Sequence, residues 1–144
     1  MASKKTLQQL IELARQRSDT AARSLGASRS REEKESSKLK LLEGYRDEYS
    51  ARLDQALRKG LDRGVWDNYR LFMLKIEAAF RQQRELLEQS RKQVEQCRSV
   101  WQAADGKVKS FATLDRRRQS AERVTDNRRE QREQDEFASR KRTR

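Results

Sequence analysis

Residues 66–111 read WDNYRLFMLKIEAAFRQQRELLEQSRKQVEQCRSVWQAADGKVKSF. Two rows of residues recur in this stretch with a period of seven, and most of their members are apolar. The first row comprises Trp66, Met73, Phe80, Leu87, Val94, Trp101 and Val108, and the second comprises Tyr69, Ile76, Gln83, Ser90, Cys97, Ala104 and Phe111. Rows spaced three and four apart are the a and d positions of a heptad, which pack one helix against another. The stretch predicts a long helix that packs along this seam against a partner helix.

The partner helix is predicted in residues 7–60, which carry two rows of their own. One row comprises Leu7, Ala14, Ala21, Ser28, Glu35, Leu42, Tyr49 and Ala56, and the other comprises Ile11, Ser18, Leu25, Glu32, Leu39, Arg46, Leu53 and Gly60. The two ends of this seam are apolar, but residues 28–37 (SRSREEKESS) contain no apolar side chain. We therefore expect the middle of this helix to be helical but loosely held, or locally frayed.

A short turn joins the two predicted helices. Gly60 can adopt the left-handed conformation that ends a helix, and a connection of a few residues makes neighbouring helices antiparallel. A turn centred near residue 62 predicts that the numbers of facing residues sum to about 125. The sequence predicts an all-α fold, a long antiparallel two-helix coiled coil (an α-helical hairpin) with a charged C-terminal helical extension. The single domain has helix 1 at about 5–59, the turn at 60–64, helix 2 at about 65–118 and a basic extension at 119–144.

The composition argues against catalysis and against a membrane span. Of the 144 residues, 40% are charged and 33% hydrophobic, which supports a narrow seam rather than a layered core. No His is present, so the usual general base and the commonest metal ligand are missing, and Cys97 is the only cysteine, so no Cys pair with metal-binding spacing exists. We expect no enzyme activity, no cofactor, no metal and no small-molecule substrate. No apolar run reaches the ~20 residues of a membrane span, and no signal peptide is evident, so we expect a cytoplasmic protein.

The net charge of +12 predicts an acidic partner, namely nucleic acid, an anionic membrane surface or an acidic protein, and it does not choose among them. The charge is uneven, with +5 in residues 1–31, +2 in residues 32–115 and +5 in residues 116–144. Nucleic acid is one alternative partner, although no helix-turn-helix, zinc finger or basic-zipper arrangement is present. Self-association as a structural coiled coil is another alternative. It rests on a third apolar row beside the seam, which comprises Val65, Phe72, Ala79, Leu86, Val100 and Leu114.

Several motifs in this order resemble the FliJ family, the small coiled-coil proteins of the bacterial flagellar type III export apparatus. They are Leu42-x-x-Tyr45-x-x-x-Tyr49 before the turn, Trp66-x-Asn68-Tyr69-x-x-Phe72 after it, Trp101, and Asn127-Arg128 followed by Asp135-Glu136-Phe137-Ala138 near a basic C-terminus. The resemblance covers nearly the whole chain.

The resemblance implies a non-enzymatic rod similar to the central stalk of rotary ATPases. Such a rod enters the hexameric ring of the flagellar export ATPase FliI and promotes its assembly. It also reaches the cytoplasmic domain of the export gate FlhA, binds export chaperones, and lies peripheral to the cell membrane at the flagellar base. The positions that match the family's gate-facing cluster are Leu42, Tyr45, Tyr49, Phe72, Ile76 and Ala79. Lys38 and Gln83 depart from the family pattern at the polar edge of that cluster. The basic end implied to contact the ATPase ring comprises Arg116, Arg117, Arg118, Arg128 and Arg129.

Overall fold

The computed structural model describes residues 4–60 and 62–142. Helix α1 spans Lys4–Arg58 and helix α2 spans Arg63–Arg142. These described ranges contain no β-strand. The fold is an all-α helical hairpin in which two long helices pack against each other, which confirms the predicted fold class.

The turn between the helices is built on one glycine and one aspartate. Gly60 has a φ of 85°, the left-handed conformation that ends a helix without steric strain only in glycine. The backbone oxygen of Asp62 accepts the N–H groups of Val65 at 3.1 Å and Trp66 at 3.0 Å, which are the first hydrogen bonds of α2. Leu61, within the predicted turn, lies outside the described residues.

The chain packs as two compact units. The turn unit is Thr20–Trp101, and the terminal unit comprises residues 4–19 and 102–142 of the described chain. The core of the turn unit lies on the predicted heptad rows. Its buried apolar residues are Ala21, Leu25, Ile76, Phe80, Leu87 and Val94.

Contacts across the turn unit define the pairing of its two helices. Gln83 contacts Glu35 and Arg46 contacts Phe80, so the numbers of facing residues sum to 118 and 126. These values centre slightly below the predicted 125. The helix bounds explain the difference. Helix α1 ends at Arg58 and α2 begins at Arg63, so the turn is centred between residues 60 and 61 rather than at residue 62.

The polar middle of α1 is continuous helix, so residues 28–37 are helical as expected and the alternative of local fraying is not borne out. Ser28 is only 3% exposed, and its hydroxyl donates a hydrogen bond of 2.8 Å to the backbone oxygen of Leu25. Glu35 is half-buried and accepts hydrogen bonds from Gln83 of α2. The stretch can stay packed without apolar side chains because its inward-facing polar groups have partners.

The terminal unit is packed over only part of its length. Leu7 and Ala14 are buried, and Val108 and Phe111 are half-buried on the predicted rows. From residue 119 to residue 142, α2 continues as a helix in which every residue is exposed. This segment is the predicted charged extension, of which residues 143–144 lie outside the described chain.

Candidate functional site

An aromatic cluster lies on the seam of the turn unit, close to the turn. Tyr49 of α1 stacks on Phe72 of α2 with ring centroids 4.1 Å apart and planes inclined by 29°. Tyr69, one helical turn before Phe72, meets the same Tyr49 edge-to-face at 6.4 Å. Offset stacking and edge-to-face packing are the arrangements that aromatic quadrupoles favour. The cluster therefore fixes the orientation of Phe72, although 38% of Phe72 is exposed.

The six residues predicted for the gate-facing cluster fall into two sets. Leu42 and Tyr49 are half-buried on the seam, and Ile76 is 7% exposed. Ile76 therefore supports the surface from below. Tyr45 is 51% exposed beside the seam, as is Phe72 to a smaller extent, and Ala79 is half-buried. All six residues lie in the turn unit, and together they are called the aromatic patch below. Tyr45 and Phe72 are its main accessible members, because they are the most exposed of the six.

Further large apolar residues of the turn unit are exposed outside the aromatic patch. Leu71 and Leu74 are 58% and 54% exposed, and Leu41 is 56% exposed. They lie outside the predicted seam rows and the third row, so heptad counting missed them. A scan for leucines at outward-facing positions would have found them. Trp66, predicted as a seam residue, is 36% exposed at the start of α2.

Two arginines lie over the ring of the most buried aromatic residue of the turn unit. Phe80 is 6% exposed, and the guanidinium groups of Arg46 and Arg84 lie 4.9 Å and 4.5 Å from its ring centroid. Arg46 occupies a seam position that looked unfavourable in the sequence. The contact explains why arginine is tolerated at this seam position, because its guanidinium can lie over an aromatic face and still be partly exposed to water.

A polar layer interrupts the apolar seam beyond Phe80. The Gln83 amide is buried and donates to the backbone oxygen of Glu35 at 3.0 Å, and it also donates to the Glu35 carboxylate. Lys38 lies 3.7 Å from the same carboxylate. Further along, Arg91 lies 3.9 Å from Glu32. Sequence reasoning treated these positions as gaps in the seam, and only the cross-helix pairing reveals that they are partners.

The predicted basic end does not present its five arginines equally. Arg116, Arg117, Arg128 and Arg129 are exposed. The side chain of Arg118 is only 20% exposed, and it bonds Asp115 at 3.2 Å and Glu122 at 2.7 Å. Its Nε is buried without a hydrogen-bond partner among the described residues. Arg118 continues the Tyr69 heptad row, so the seam rather than an external partner accounts for its position.

Two chemical features are missing from the described part of the chain. Residues 4–60 and 62–142 contain no group of three or more His, Cys, Asp or Glu side chains that could hold a metal ion. In the same ranges, neither helix has an apolar window suited to crossing a bilayer. The accessible features are the aromatic patch and the exposed arginines, and aromatic and Arg side chains are both enriched at protein–protein interfaces.

Fold and surface together define a class of protein, a coiled-coil hairpin of two long helices with exposed aromatic and basic side chains. The model of the family described as "Flagellar FliJ protein" matches residues 3–144. The flagellar FliJ protein of Salmonella typhi is 32% identical over 140 residues, which cover 97% of this chain and 95% of that protein. The flagellar FliJ protein of Escherichia coli (strain K12) is 31% identical over the same coverage. The chain belongs to the flagellar FliJ family and is a component of the flagellar export apparatus.

Proposed function

We propose that this chain is a non-enzymatic, stalk-like connector of the flagellar export apparatus. One end engages the ring of the export ATPase FliI and promotes its assembly, and the aromatic patch contacts the cytoplasmic domain of the export gate FlhA. The observation that carries the proposal is that two kinds of exposed surface lie in different parts of the chain. Aromatic surface is exposed in the turn unit, and exposed arginines lie at the end of the α2 seam and on the fully exposed extension beyond it.

The aromatic patch has the properties of a protein-binding hot spot. Tyr45 and Phe72 expose large apolar area, which monomeric proteins usually leave uncovered only where a partner binds. Stacking against Tyr49 holds the Phe72 ring in place before any partner arrives. A preoriented aromatic side chain loses little rotamer entropy on binding, which favours affinity.

Binding of the gate domain tests this assignment directly. Tyr45→Ala and Phe72→Ala should each weaken binding of the full chain to the purified FlhA cytoplasmic domain by about tenfold or more, measured by titration calorimetry. Leu71→Ala is the matched control, because Leu71 is more exposed than either residue but lies outside the patch. Normal gate binding by both patch variants, with helicity intact by circular dichroism, would show that the assignment is wrong.

The exposed basic helix supports the proposed contact with the ATPase. Residues 119–142 form a helix with no buried residue, so they are free to be enclosed by a partner. Arg116, Arg117, Arg128 and Arg129 supply positive charge that an acidic ring lumen would attract, with a strength that salt screens. Arg118 contributes less, because Asp115 and Glu122 already hold its guanidinium.

ATP hydrolysis by FliI is the readout for this end. The full chain should stimulate hydrolysis, and a chain that ends at Asp115 should not. The variant Arg128→Glu/Arg129→Glu is the sharper test, since it leaves the ion pairs of Arg118 in place. Stimulation by the charge-reversed variant equal to that of the full chain would remove these arginines from the proposed contact.

The remaining parts of the proposal concern chaperones and location. We place the chain at the cytoplasmic face of the flagellar base, peripheral to the membrane, where it binds export chaperones. Support comes from membership of the FliJ family and from accessible apolar residues outside the aromatic patch. Fractionation of a motile strain should recover the chain with membranes when FlhA is present and in the supernatant when FlhA is deleted.

A further inference from the structure

A second binding surface lies in the turn unit, on the side of the seam where the polar layer is found. A groove of about 290 Å³ runs between the helices there. Its residues from α1 are Ser28, Arg31 and Glu35, and those from α2 are Leu86, Gln89, Ser90 and Gln93. Ser28 and Ser90 are small side chains at seam positions, and both line the groove, which leaves space between the helices at this level.

The charged residues on the two helical rows that border this groove are all basic. Arg31 and Lys38 directly precede seam residues of α1, and Leu86 and Gln93 directly precede seam residues of α2. Apart from the half-buried Ala79, the residues of both rows are exposed, and neither row contains an Asp or Glu between residues 24 and 38 on α1 or between residues 79 and 100 on α2. Lys34, on the next outward row, is also exposed and adds a further cation.

The one carboxylate in the groove is already engaged. Glu35 accepts hydrogen bonds from Gln83 and pairs with Lys38 at 3.7 Å. The nearest other carboxylates of α2, Glu85 and Glu88, line a different pocket with Arg81 and Arg84. The groove therefore offers an apolar contact at Leu86, which is 43% exposed, bordered by cations and amides.

We propose that this groove binds an acidic amphipathic helix of a partner protein. One apolar side chain of that helix covers Leu86, and carboxylates on its flank meet Arg31 and Lys34. Gln89 and Gln93 provide donors and acceptors for the polar edge of the same helix. An amphipathic helix laid in an apolar groove is a common recognition mode, and the charge pattern selects acidic helices over basic ones.

The same observations disfavour other occupants. Nucleic acid needs an array of cations along the phosphate backbone, whereas amides and a leucine occupy much of this groove. A second copy of the chain would place the cationic rows of two molecules against each other, which is unfavourable for a chain of net charge +12. A membrane surface would need a broad apolar face, and here Gln93 separates Leu86 from Val100 on their row.

Fluorescence anisotropy of a labelled synthetic peptide tests the proposal with the full chain. The peptide has about 18 residues, or five helical turns, with Leu along one face and Glu on both flanks. A second peptide carries Lys in place of every Glu. We expect the acidic peptide to bind at least about tenfold more tightly than the basic one, and its binding to weaken in about 0.5 M salt. Equal binding of the two peptides, or no binding, would overturn the proposal.

Two pairs of variants locate the binding. Leu86→Glu should weaken binding about tenfold or more, whereas Leu74→Glu, at a more exposed leucine on α2 outside the groove, should change it less than about twofold. Arg31→Glu should weaken binding about fivefold and reduce its salt dependence, whereas Arg29→Glu should not. Circular dichroism checks that each variant folds. Equal losses within a pair would show that the peptide does not bind in the groove.

Two further measurements distinguish peptide binding in the groove from peptide binding on the aromatic patch and from self-association of the chain. The proposal does not depend on the proposed gate contact, so Tyr45→Ala should leave peptide binding unchanged. Loss of binding in Tyr45→Ala would place the peptide on the aromatic patch and reject the groove. Sedimentation velocity of the chain alone should show one species across the micromolar range. A dimer that Leu86→Glu abolishes would assign the groove to a second copy of the chain instead.

Discussion

The turn unit solves the same packing problem in two ways. Near the turn, Tyr49, Phe72 and Phe80 pack as rings, and arginines lie over the buried Phe80. In the middle of the same seam, Gln83 and Glu35 meet through hydrogen bonds. The first region gains its stability from buried apolar area, and the second satisfies its polar groups without adding much apolar area.

The difference separates strength from specificity. Apolar rings tolerate small shifts of one helix along another, because dispersion and hydrophobic burial are not directional. An amide that donates to one backbone oxygen and one carboxylate fits a single alignment. A polar pair at a seam position can fix register at a cost in stability, as Asn does in coiled-coil dimers. We therefore expect the aromatic end to supply stability and the polar middle to supply register.

The largest effect should come from Phe80→Ala. The variant removes a side chain that is 6% exposed and leaves Arg46 and Arg84 without the ring beneath them, so we expect a loss of about 3 kcal/mol in the free energy of unfolding. Urea unfolding followed by circular dichroism measures it. Phe137→Ala is the control, because Phe137 is 64% exposed on the extension and its loss should cost less than about 0.5 kcal/mol. Similar losses in the two variants would contradict the assignment of strength to the aromatic end.

The stability of the polar middle should depend on whether Gln83 is replaced alone or together with its partner Glu35. Gln83→Ala leaves the half-buried Glu35 carboxylate without its amide donor, so we expect a loss of about 1–2 kcal/mol. The double variant Gln83→Leu/Glu35→Leu should unfold at higher urea than the original chain, because a buried polar pair is often less stabilising than apolar packing.

The double variant also tests register. A cysteine pair placed across the helices on a Cys97→Ser background reports alignment through its rate of disulfide formation. We expect one efficient pair in the original chain, and additional pairs shifted along the seam in the double variant. A single efficient pair in both chains would mean that the rings alone set the register.

Heptad periodicity predicted the fold well, because the inward face of each helix is set by local spacing. Leu25, Ile76 and Val94 were placed on the seam from sequence alone, and each is buried. Partners across the helices were harder to predict, because they depend on register to within a residue or two. A small shift of the turn centre was enough to hide the contact between Glu35 and Gln83, so the stretch looked unsupported.

The candidate sites show the same limit. The third apolar row identified Phe72 and Leu86 as exposed residues beside the seam, which periodicity can do without coordinates. The run of arginines alone does not distinguish Arg118 from Arg117, whereas the Tyr69 heptad row does, because only Arg118 lies on that row. Arg118 has its charge engaged by Asp115 and Glu122, and that follows from the helical row on which it lies. The partners of these surfaces remain proposals, because composition and packing do not name a binding protein.

The cations over the rings offer a finer test of the aromatic end. Arg46→Ala removes a guanidinium 4.9 Å from the Phe80 ring, and we expect a loss of about 1 kcal/mol in the free energy of unfolding. Arg46→Met keeps most of the side chain's apolar length, so the difference between the two variants separates packing from the cation contribution. Equal stability of all three chains in urea would show that Arg46 only covers the ring.

The smallest effect should come from the outer edge of the polar middle. Arg91 lies 3.9 Å from Glu32, and its side chain is 57% exposed, so water and salt screen the pair. We expect Arg91→Ala to cost about 0.3 kcal/mol at low salt and nothing measurable at about 1 M salt. Arg98→Ala is a useful comparison, because Arg98 pairs with Glu95 within α2 and does not bridge the helices. If Arg91→Ala cost as much as Gln83→Ala, the register would depend on charge as well as on the buried amide, and the contrast between strength and specificity would have to include the surface of the seam.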